Sequence, residues 1–514
     1  QIEKLEVAGP YLNIFLGSGS FAESFWNYIQ QENLYKNIAG NKGKTIYIDY
    51  IGANVGKPLH IWHMCTPSQG QVFANLFNKL GYNTISDSHI GDWGIIFGKL
   101  IVAYEEYGDA DKLHENAVEH LFELYVKISS DTEKDDSLEG EFRSAFKKLS
   151  EGDSEMKDIW AQFTRYSIEA MNIQLSRIFV KPDYNIGESF YEWLGLAKME
   201  DYPDLKYSMK DIVQELIQKN IATQNEDGSV GVVFPDEMKI PSCILAKRDG
   251  THGYLASDLA SIRYRMQNWS PKKILYFVDA RQQLHLRQTF EIAKMAWWYN
   301  DNTEITHAYN GFISLKDGAM STRKGKIIKL EALLDEAEKR ASDIIQEKRD
   351  DISGEELQKL SKIIWIWAIK YGYLKKSRET DVIFDWDEFM SFEWNSGPYI
   401  QYAYVRAQKI LKKSATNLSF DILDYNTSEE KELIKHILWF EKVILEITQT
   451  YYPHSLCQYS YDLTKKFSAF YNNVPILSEK DGKLKNSRLV LLYGFSRILE
   501  ESFEILGIPL PQEM

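Results

Sequence analysis

The stretch "KTIYIDYIGAN" (residues 44–54) alternates β-forming side chains with others, and a glycine-containing loop follows it. Alternation of this kind predicts a strand, because successive side chains point to opposite faces. In "SQGQVFANLFNKLGY" (68–82) the spacing changes. Val72, Leu76 and Leu80 recur at every fourth position, which predicts a helix, and Gly81 is placed to end it. "YNTISDSH" (82–89) reads as a second strand. Strand, helix and strand in this order make a βαβ unit, the seed of a parallel sheet with its ligand site at the carboxyl ends of the strands.

Upstream, "YLNIFL" (11–16) reads as an isolated strand after a Gly-Pro turn. From about 105 to 225 the chain is mostly helical in pattern and acidic, as in "GDADKLHENAVEHLFELYVKI", and reads as an insertion between two halves of the sheet. Strands resume with "SCILAK", "GYLAS" and "KKILYFVDA", the last running into the helical "QQLHLRQTFEIAKMAWW". A strand-like "HAYNGFISL" and the turn "KDGAMSTRKGK" close that half. Beyond about 355 β signals fade. "EEKELIKHILWFEKVILEIT", "SLCQYSYDLTKKFSAFYNN" and "SRLVLLYGFSRILEESFEIL" carry apolar residues at three- and four-residue spacing, the pattern of a helical bundle.

A chain of 514 residues exceeds one ordinary core and implies two or three domains. Its 44% hydrophobic and 26% charged residues are those of a soluble globular protein, and no apolar run reaches the length of a membrane span. The first residues are acidic where a secretory leader would be basic. Cys65, Cys243 and Cys457 are too far apart for a disulfide framework or a zinc pair, which points to a reducing cytoplasm. A net charge of −14 argues against indiscriminate nucleic-acid binding but leaves room for a local basic groove.

Candidate chemistry concentrates in "KPLHIWHMCTP" (57–67). His60 and His63 lie three apart at a helix start and project from one side, where free backbone N–H groups favour phosphate oxygens. Two imidazoles there can donate to charge developing on a triphosphate, and Lys57 adds a positive charge on the same loop. An isolated His-x-x-His is more often two ordinary histidines. A metal site of His60 and His63 with Cys65 or His89 is a further reading, though it lacks the acidic motif of a zinc hydrolase. The turn "DGAMSTRKGK" (317–326) offers Ser321, Thr322, Arg323, Lys324 and Lys326 to a departing pyrophosphate, and alone it is a solvated basic turn.

Together the two motifs resemble the "HIGH" and "KMSKS" signatures of class I aminoacyl-tRNA synthetases. The resemblance narrows to the arginyl-tRNA synthetase family through "IDYIGANVGKPLHIWH", "SHIGDWGIIFGKL", "GYLASDLA", "VDARQQLHLRQ", "GAMSTRKGK", "SGPYIQYAYVRAQKIL" and the terminal "LGIPLPQEM". It covers nearly the whole chain in the right order. It implies an α/β fold, with a Rossmann-type catalytic domain at 41–350, its helical insertion at about 105–225, and an all-α anticodon-binding bundle at 351–514. Residues 1–40 then read as the remnant of an N-terminal tRNA-binding domain and linker.

The resemblance further implies ATP-dependent attachment of L-arginine to its tRNA through an arginyl-adenylate, with activation dependent on bound tRNA. His60, His63, Lys57 and Lys324 fall on catalytic positions. ATP would be held by His60, His63, His285, Gln288, Met320, Ser321 and Lys324. Arginine would be held by Asp49, Asn54, His60, Tyr254, Asp258 and Gln282, since a guanidinium has only donors and needs charged acceptors. Tyr399, Gln401, Tyr402 and Arg406 match positions that touch tRNA, where aromatics stack on bases and a cation meets phosphate. Mg²⁺ accompanies ATP, no structural zinc is implied, and the expectation is a monomeric cytoplasmic enzyme without membrane contact.

Lys57 resembles the lysine that many family members carry just before the first motif when, as in "MSTRKG", the second is irregular. Three departures stand out. Trp62 occupies the place of a small residue, normally glycine, against which adenine lies, so the indole either covers that surface or is turned from it. "AGPYLN" is one glycine shorter than the usual turn, and Ile96 stands where glutamine is common. Two other readings follow: a non-enzymatic tRNA- or arginine-binding paralogue, and a metal hydrolase built on His60, His63 and His89.

Overall fold

The computed structural model describes residues 2–192, 201–315, 328–348, 351–389, 397–414, 418–419 and 423–511. Its strands run β1 (Ile2–Ala8), β2 (Tyr11–Leu16), β3 (Thr45–Tyr50), β4 (Asn83–Asp87), β5 (Thr223–Gln224), β6 (Val230–Val232), β7 (Cys243–Ala246), β8 (Lys273–Phe277), β9 (Glu304–His307), β10 (Ile313–Leu315) and β11 (Val382–Phe384). Four of them form a parallel sheet in the order β4-β3-β8-β9. The expected βαβ unit is β3, the helix Cys65–Lys79 and β4, with Tyr47 level with Ile85 across the pair.

Alternation along the central strands explains how the sheet separates two cores. Ile46, Ile48 and Tyr50 of β3 face one cluster with Leu275 and Phe277 of β8. Tyr47, Ile274 and Tyr276 face the other. Val72, Leu76 and Leu80 are buried as their spacing predicts, and Gly81 ends that turn at φ +82°. The region after β4 is a set of helices from Ile95–Tyr107 to Ser154–Arg177 around a third core of Phe97, Leu121, Phe142 and Trp160. Its exit returns to the sheet, where Asp87 bridges Tyr184 and Ile90 bridges Gly187.

Three expectations are corrected. "YLNIFL" is not isolated: β2 pairs antiparallel with β1 as a hairpin. "GYLAS" is the start of the helix Tyr254–Trp269, because Leu255, Ala256 and Leu259 all point into the core at helical spacing. β structure also persists beyond 355, since β11 pairs parallel with β10. The C-terminal part is otherwise the expected bundle, including Gly397–Ser414, Ser428–Leu438, Phe440–Thr450, His454–Asn473 and Gly482–Leu506. Among the described residues no helix is long and apolar enough to cross a membrane.

Candidate active site

The chain leaves β3 at Tyr50 and passes Asn54 before turning at Lys57-Pro58 into His60. Asn54 is exposed, and it bridges Gly91 of "HIGDWG". Gly91 is required there: a Cβ would stand 2.2 Å from the Asn54 Oδ1. A short 3-10 turn, Ile61–Met64, then leads into the helix Cys65–Lys79. The His60 backbone N–H donates to His63 Nδ1 at 3.0 Å, and the two rings lie 4.1 Å apart. With Nδ1 accepting, a neutral His63 carries its proton on Nε2 and offers it as a donor.

Both imidazoles are held neutral. Burial, then the charges of Arg281 and Lys57, push His60 down to about 4, and burial beside His60 pushes His63 well below its ordinary value. Lys57, half-buried against the Tyr125 ring, is also lowered by burial. Trp62 is fixed rather than free. Its Nε1 donates to the Ile313 carbonyl at 2.8 Å, its ring meets His60 edge-on at 5.3 Å, and the Arg281 guanidinium lies 4.7 Å from its centre. The His60 segment is tied on its other side too, Ile61 N–H donating to Ile328 O at 3.1 Å and Leu330 N–H to Leu59 O at 2.8 Å. Met320, Ser321, Thr322, Arg323, Lys324 and Lys326 lie outside the described residues.

The residues expected around arginine gather at the carboxyl ends of β3, β4 and β8, but they do not act alike. Asp49 is buried and engaged: Arg265 Nη2 donates to it at 2.6 Å and to Asp87 at 3.0 Å. Arg265 is itself completely buried and also bonds the Tyr276 hydroxyl. Asp49, Asp87 and His89 could geometrically hold a metal ion, yet the Arg265 guanidinium already serves both carboxylates. Asp258 lies between two histidines. His285 Nε2 bonds it directly and His89 Nε2 is 3.7 Å away. Despite burial, those partners hold its carboxyl below the usual range, and His285 is raised in turn. His89 is thus drawn to Asp258, and the His60–His63–His89 metal reading fails because those three do not converge among the described residues.

Tyr254, one turn before Asp258, is 71% exposed at the head of its helix. Gln282 is exposed at the start of the helix Gln283–Met295. Gln288 is buried there, its amide donating to Pro241 O at 2.9 Å.

Sequence reasoning missed Glu188. It follows Gly187 on the segment paired with Ile90, and its carboxyl is raised to about 9 by burial and by Asp258 and Asp92. Its charge is felt in turn at Tyr254. The clue lay in "NIGESFYEW", where Glu188 directly follows a glycine late in the stretch read as the helical insertion. Arg281 was missed for a simpler reason: one arginine in a polar turn carries no signal.

On the bundle, Tyr402 is 54% exposed and Arg406 stacks between Tyr402 and Tyr471, at 4.4 and 4.6 Å. Tyr399 is half-buried, bonded to Ser468 and packed near Tyr461. Gln401 is a correction: it is fully buried on the core side of its helix and has no surface to offer a ligand.

The sequence profile for "tRNA synthetases class I (R), catalytic domain" matches residues 25–386, and that for "DALR anticodon binding domain" matches 400–514. An arginine–tRNA ligase of Fusobacterium nucleatum is 38% identical over 519 residues, spanning 100% of this chain and 87% of the relative. One from Clostridium botulinum is 35% identical, spanning 100% and 88%. The crystal structure of the Plasmodium falciparum arginyl-tRNA synthetase superposes with a TM-score of 0.83 at 24% identity, covering 100% of this chain and 86% of that one. The Thermus thermophilus enzyme gives 0.82 at 22% identity, covering 100% and 89%. By sequence over its whole length and by fold, this chain belongs to the arginyl-tRNA synthetase family of class I.

Proposed function

We propose that the chain joins L-arginine to its tRNA in two steps, with the nucleotide at His60, His63 and Lys57 and arginine at Glu188, Tyr254, Asp258 and Gln282. In the first, an arginine carboxylate oxygen attacks the α-phosphorus of ATP, the bond to the bridging oxygen breaks, and pyrophosphate leaves. In the second, the terminal ribose hydroxyl of the tRNA attacks the arginyl carbonyl, loses its proton, and AMP leaves. No protein nucleophile takes part. Positioning and stabilisation of developing charge supply the rate.

The observation that carries this reading is a cluster of acids, Asp258 with Glu188 beside Tyr254, in the same parallel-sheet domain whose β3 loop carries a pair of neutral imidazoles. Asp258, its carboxyl kept ionised by His285 and His89, stands near Glu188 and below Tyr254, and suits a group with donors only. Asp49 then contributes indirectly, since Arg265 has claimed it. Asn54 stands on the same loop as the histidines and fits the arginine backbone end. Met320, Ser321 and Lys324 stay with the nucleotide by resemblance alone. Mg²⁺ arrives with the ATP phosphates, and nothing in the reading requires zinc. The same reading takes the chain to be a monomer in a reducing cytoplasm, supported in compartment by its three unpaired cysteines.

The test is arginine-dependent ATP–pyrophosphate exchange with arginine tRNA present. Asp258→Asn should raise the KM for arginine with little change in that for ATP. Neutral citrulline should be used roughly 10⁴-fold less well than arginine, because the carboxylates would be left unpaired. Equal use of the two would remove the arginine assignment.

A further inference from the structure

Arg281 belongs to none of the roles above, yet it rests on Trp62 of the first motif and immediately precedes Gln282. It lies in the short 3-10 turn Ala280–Gln282 that follows β8 and precedes Gln283–Met295. Its guanidinium is held in three ways. Nε and Nη2 donate side by side to Asp279 Oδ1 and Oδ2, each at 2.8 Å. The Trp62 ring centre is 4.7 Å from Cζ, and the Phe312 ring centre is 5.7 Å away. Asp279 is fixed in its own right, because the Arg281 backbone N–H caps onto its Oδ1 at 2.8 Å.

A guanidinium has five N–H donors in a rigid plane, and the fork to Asp279 uses only two. The remaining edge finds no partner among the described residues, and Arg281 is 56% exposed. The arginine end of the pair is the one that faces the first motif: at His60 its charge is felt together with that of Lys57. A surface arginine bonded to its neighbour would ordinarily sweep through solvent. This one has been given a carboxylate clamp and an aromatic wall, and that wall is the Trp62 ring that also meets His60 edge-on.

We propose that Arg281 is a nucleotide-binding residue of the activation step, presenting fixed donors and a permanent positive charge to the phosphates of ATP beside His60 and His63, with Asp279 as its positioning residue. This rests on the nucleotide reading of the first motif. The neutral histidines can donate hydrogen bonds but cannot balance the triphosphate charge, and Lys57 is the one cation in "KPLHIWHMCTP". Arg281 supplies a second positive charge on a planar fork of donors. Its clamp limits the loss of side-chain freedom on binding, since the fork is already ordered. Trp62 acquires a use as well, as the wall against which that side chain rests.

The experiment is steady-state pyrophosphate exchange by the full chain with tRNA, comparing Arg281→Gln, Arg281→Lys, Asp279→Asn and His60→Ala. Arg281→Gln should lower kcat/KM for ATP about 10²-fold while KM for arginine stays within about twofold, the size expected for losing one donor to developing charge. Arg281→Lys should recover part of it, since charge returns without the fork. Asp279→Asn should fall between wild type and Arg281→Gln. If Arg281→Gln leaves kcat/KM for ATP unchanged while His60→Ala depresses it, Arg281 is only a structural clasp and the proposal is overturned. If neither change affects ATP use, the nucleotide reading of the motif fails first. A variant that unfolds is recognised by its melting curve, and Asp279→Asn then decides, because it keeps the Arg281 side chain and alters only its clamp.

Discussion

Glu188 shows how a single buried acid can report on substrate. In the free protein burial and two neighbouring acids raise its carboxyl to about 9, so it carries a proton at neutral pH. An incoming guanidinium favours the carboxylate and drives that proton off. Binding should therefore release about one proton near pH 7.5, and arginine affinity should rise with pH by up to about tenfold per unit toward pH 9. Calorimetry in buffers of different ionisation enthalpy counts the proton. In Glu188→Gln the release should vanish and the pH dependence flatten. A wild type that takes up arginine without releasing a proton would place the guanidinium elsewhere. Asp258 is the contrasting case, since His285 and His89 keep it charged before arginine arrives.

Among the elements, the helix Gln283–Met295 ends in an arrangement its sequence does not suit. Trp297 N–H bonds Lys294 O at 3.0 Å, Trp298 N–H bonds Ala293 O at 3.1 Å, and Trp297 adopts φ +59°. That is a Schellman stop, whose left-handed position favours glycine. Trp297 is 85% exposed and so recovers nothing by packing. Trp297→Gly should raise stability by about 0.5–1 kcal/mol, the left-handed penalty of roughly 1–2 kcal/mol less the extra chain entropy of glycine. Urea unfolding of the two chains measures it, and a less stable variant would mean that the indole makes contacts in solution. The same element bears on what a sequence discloses. Helices and strands with a clear pattern, such as Cys65–Lys79 and β3, were legible because their apolar side chains enter the cores at regular spacing. "GYLAS" was not, for its β-like Tyr-Leu pair is overruled by the burial of Leu255, Ala256 and Leu259 in one core at helical spacing. The β10–β11 pairing joins residues far apart in sequence and leaves no local trace. At the candidate site, the pairing of His60 with His63 was legible from their spacing. The engagement of Asp49 by Arg265 and the burial of Gln401 were not, because each depends on what the fold brings from elsewhere.

For the whole molecule, an overall charge of −14 must coexist with binding of a polyanion. The bundle's exposed helix face around Arg406, Lys409, Lys412 and Lys413, with Tyr402 beside it, is where the two can be reconciled. Affinity for arginine tRNA should fall steeply with salt, about 0.7 log units per decade of salt for each single-strand phosphate contact. Tyr402→Ala should weaken arginine tRNA more than a tRNA with another anticodon, by filter binding at fixed salt. Equal loss for both would make Tyr402 a contact to backbone rather than to a base.

The bundle and the catalytic half meet where the last long helix ends. Asn75 donates to Glu504 O and Ile505 O at 3.1 and 3.2 Å, and Lys79 pairs with Glu501 and Glu504. Asn75 and Lys79 belong to the helix that begins just after the histidine motif. At the centre of the junction Lys370, completely buried, donates to Ile178 O and Gly507 O, each at 2.9 Å, and so joins the ends of two helices from different parts of the chain. Burial without an acidic partner pushes its amine down to about 7. Below that pH the fold must hold a buried ammonium. Between about 7 and the unfolded value of 10.5 the unfolded chain binds the proton more tightly, so the stability of the native state gains as pH rises. Glu188 acts with the opposite sign over part of this range, since its raised carboxyl favours the fold only while protonated. That term is common to wild type and Lys370→Met and cancels in their difference. The urea stability of wild type relative to Lys370→Met should therefore climb between pH 7 and 9, with a slope of up to about 1.4 kcal/mol per pH unit. Parallel curves for the two chains would mean that Lys370 keeps its ordinary pKa through water reaching the junction, and that the two helix ends are joined less tightly than its two hydrogen bonds imply.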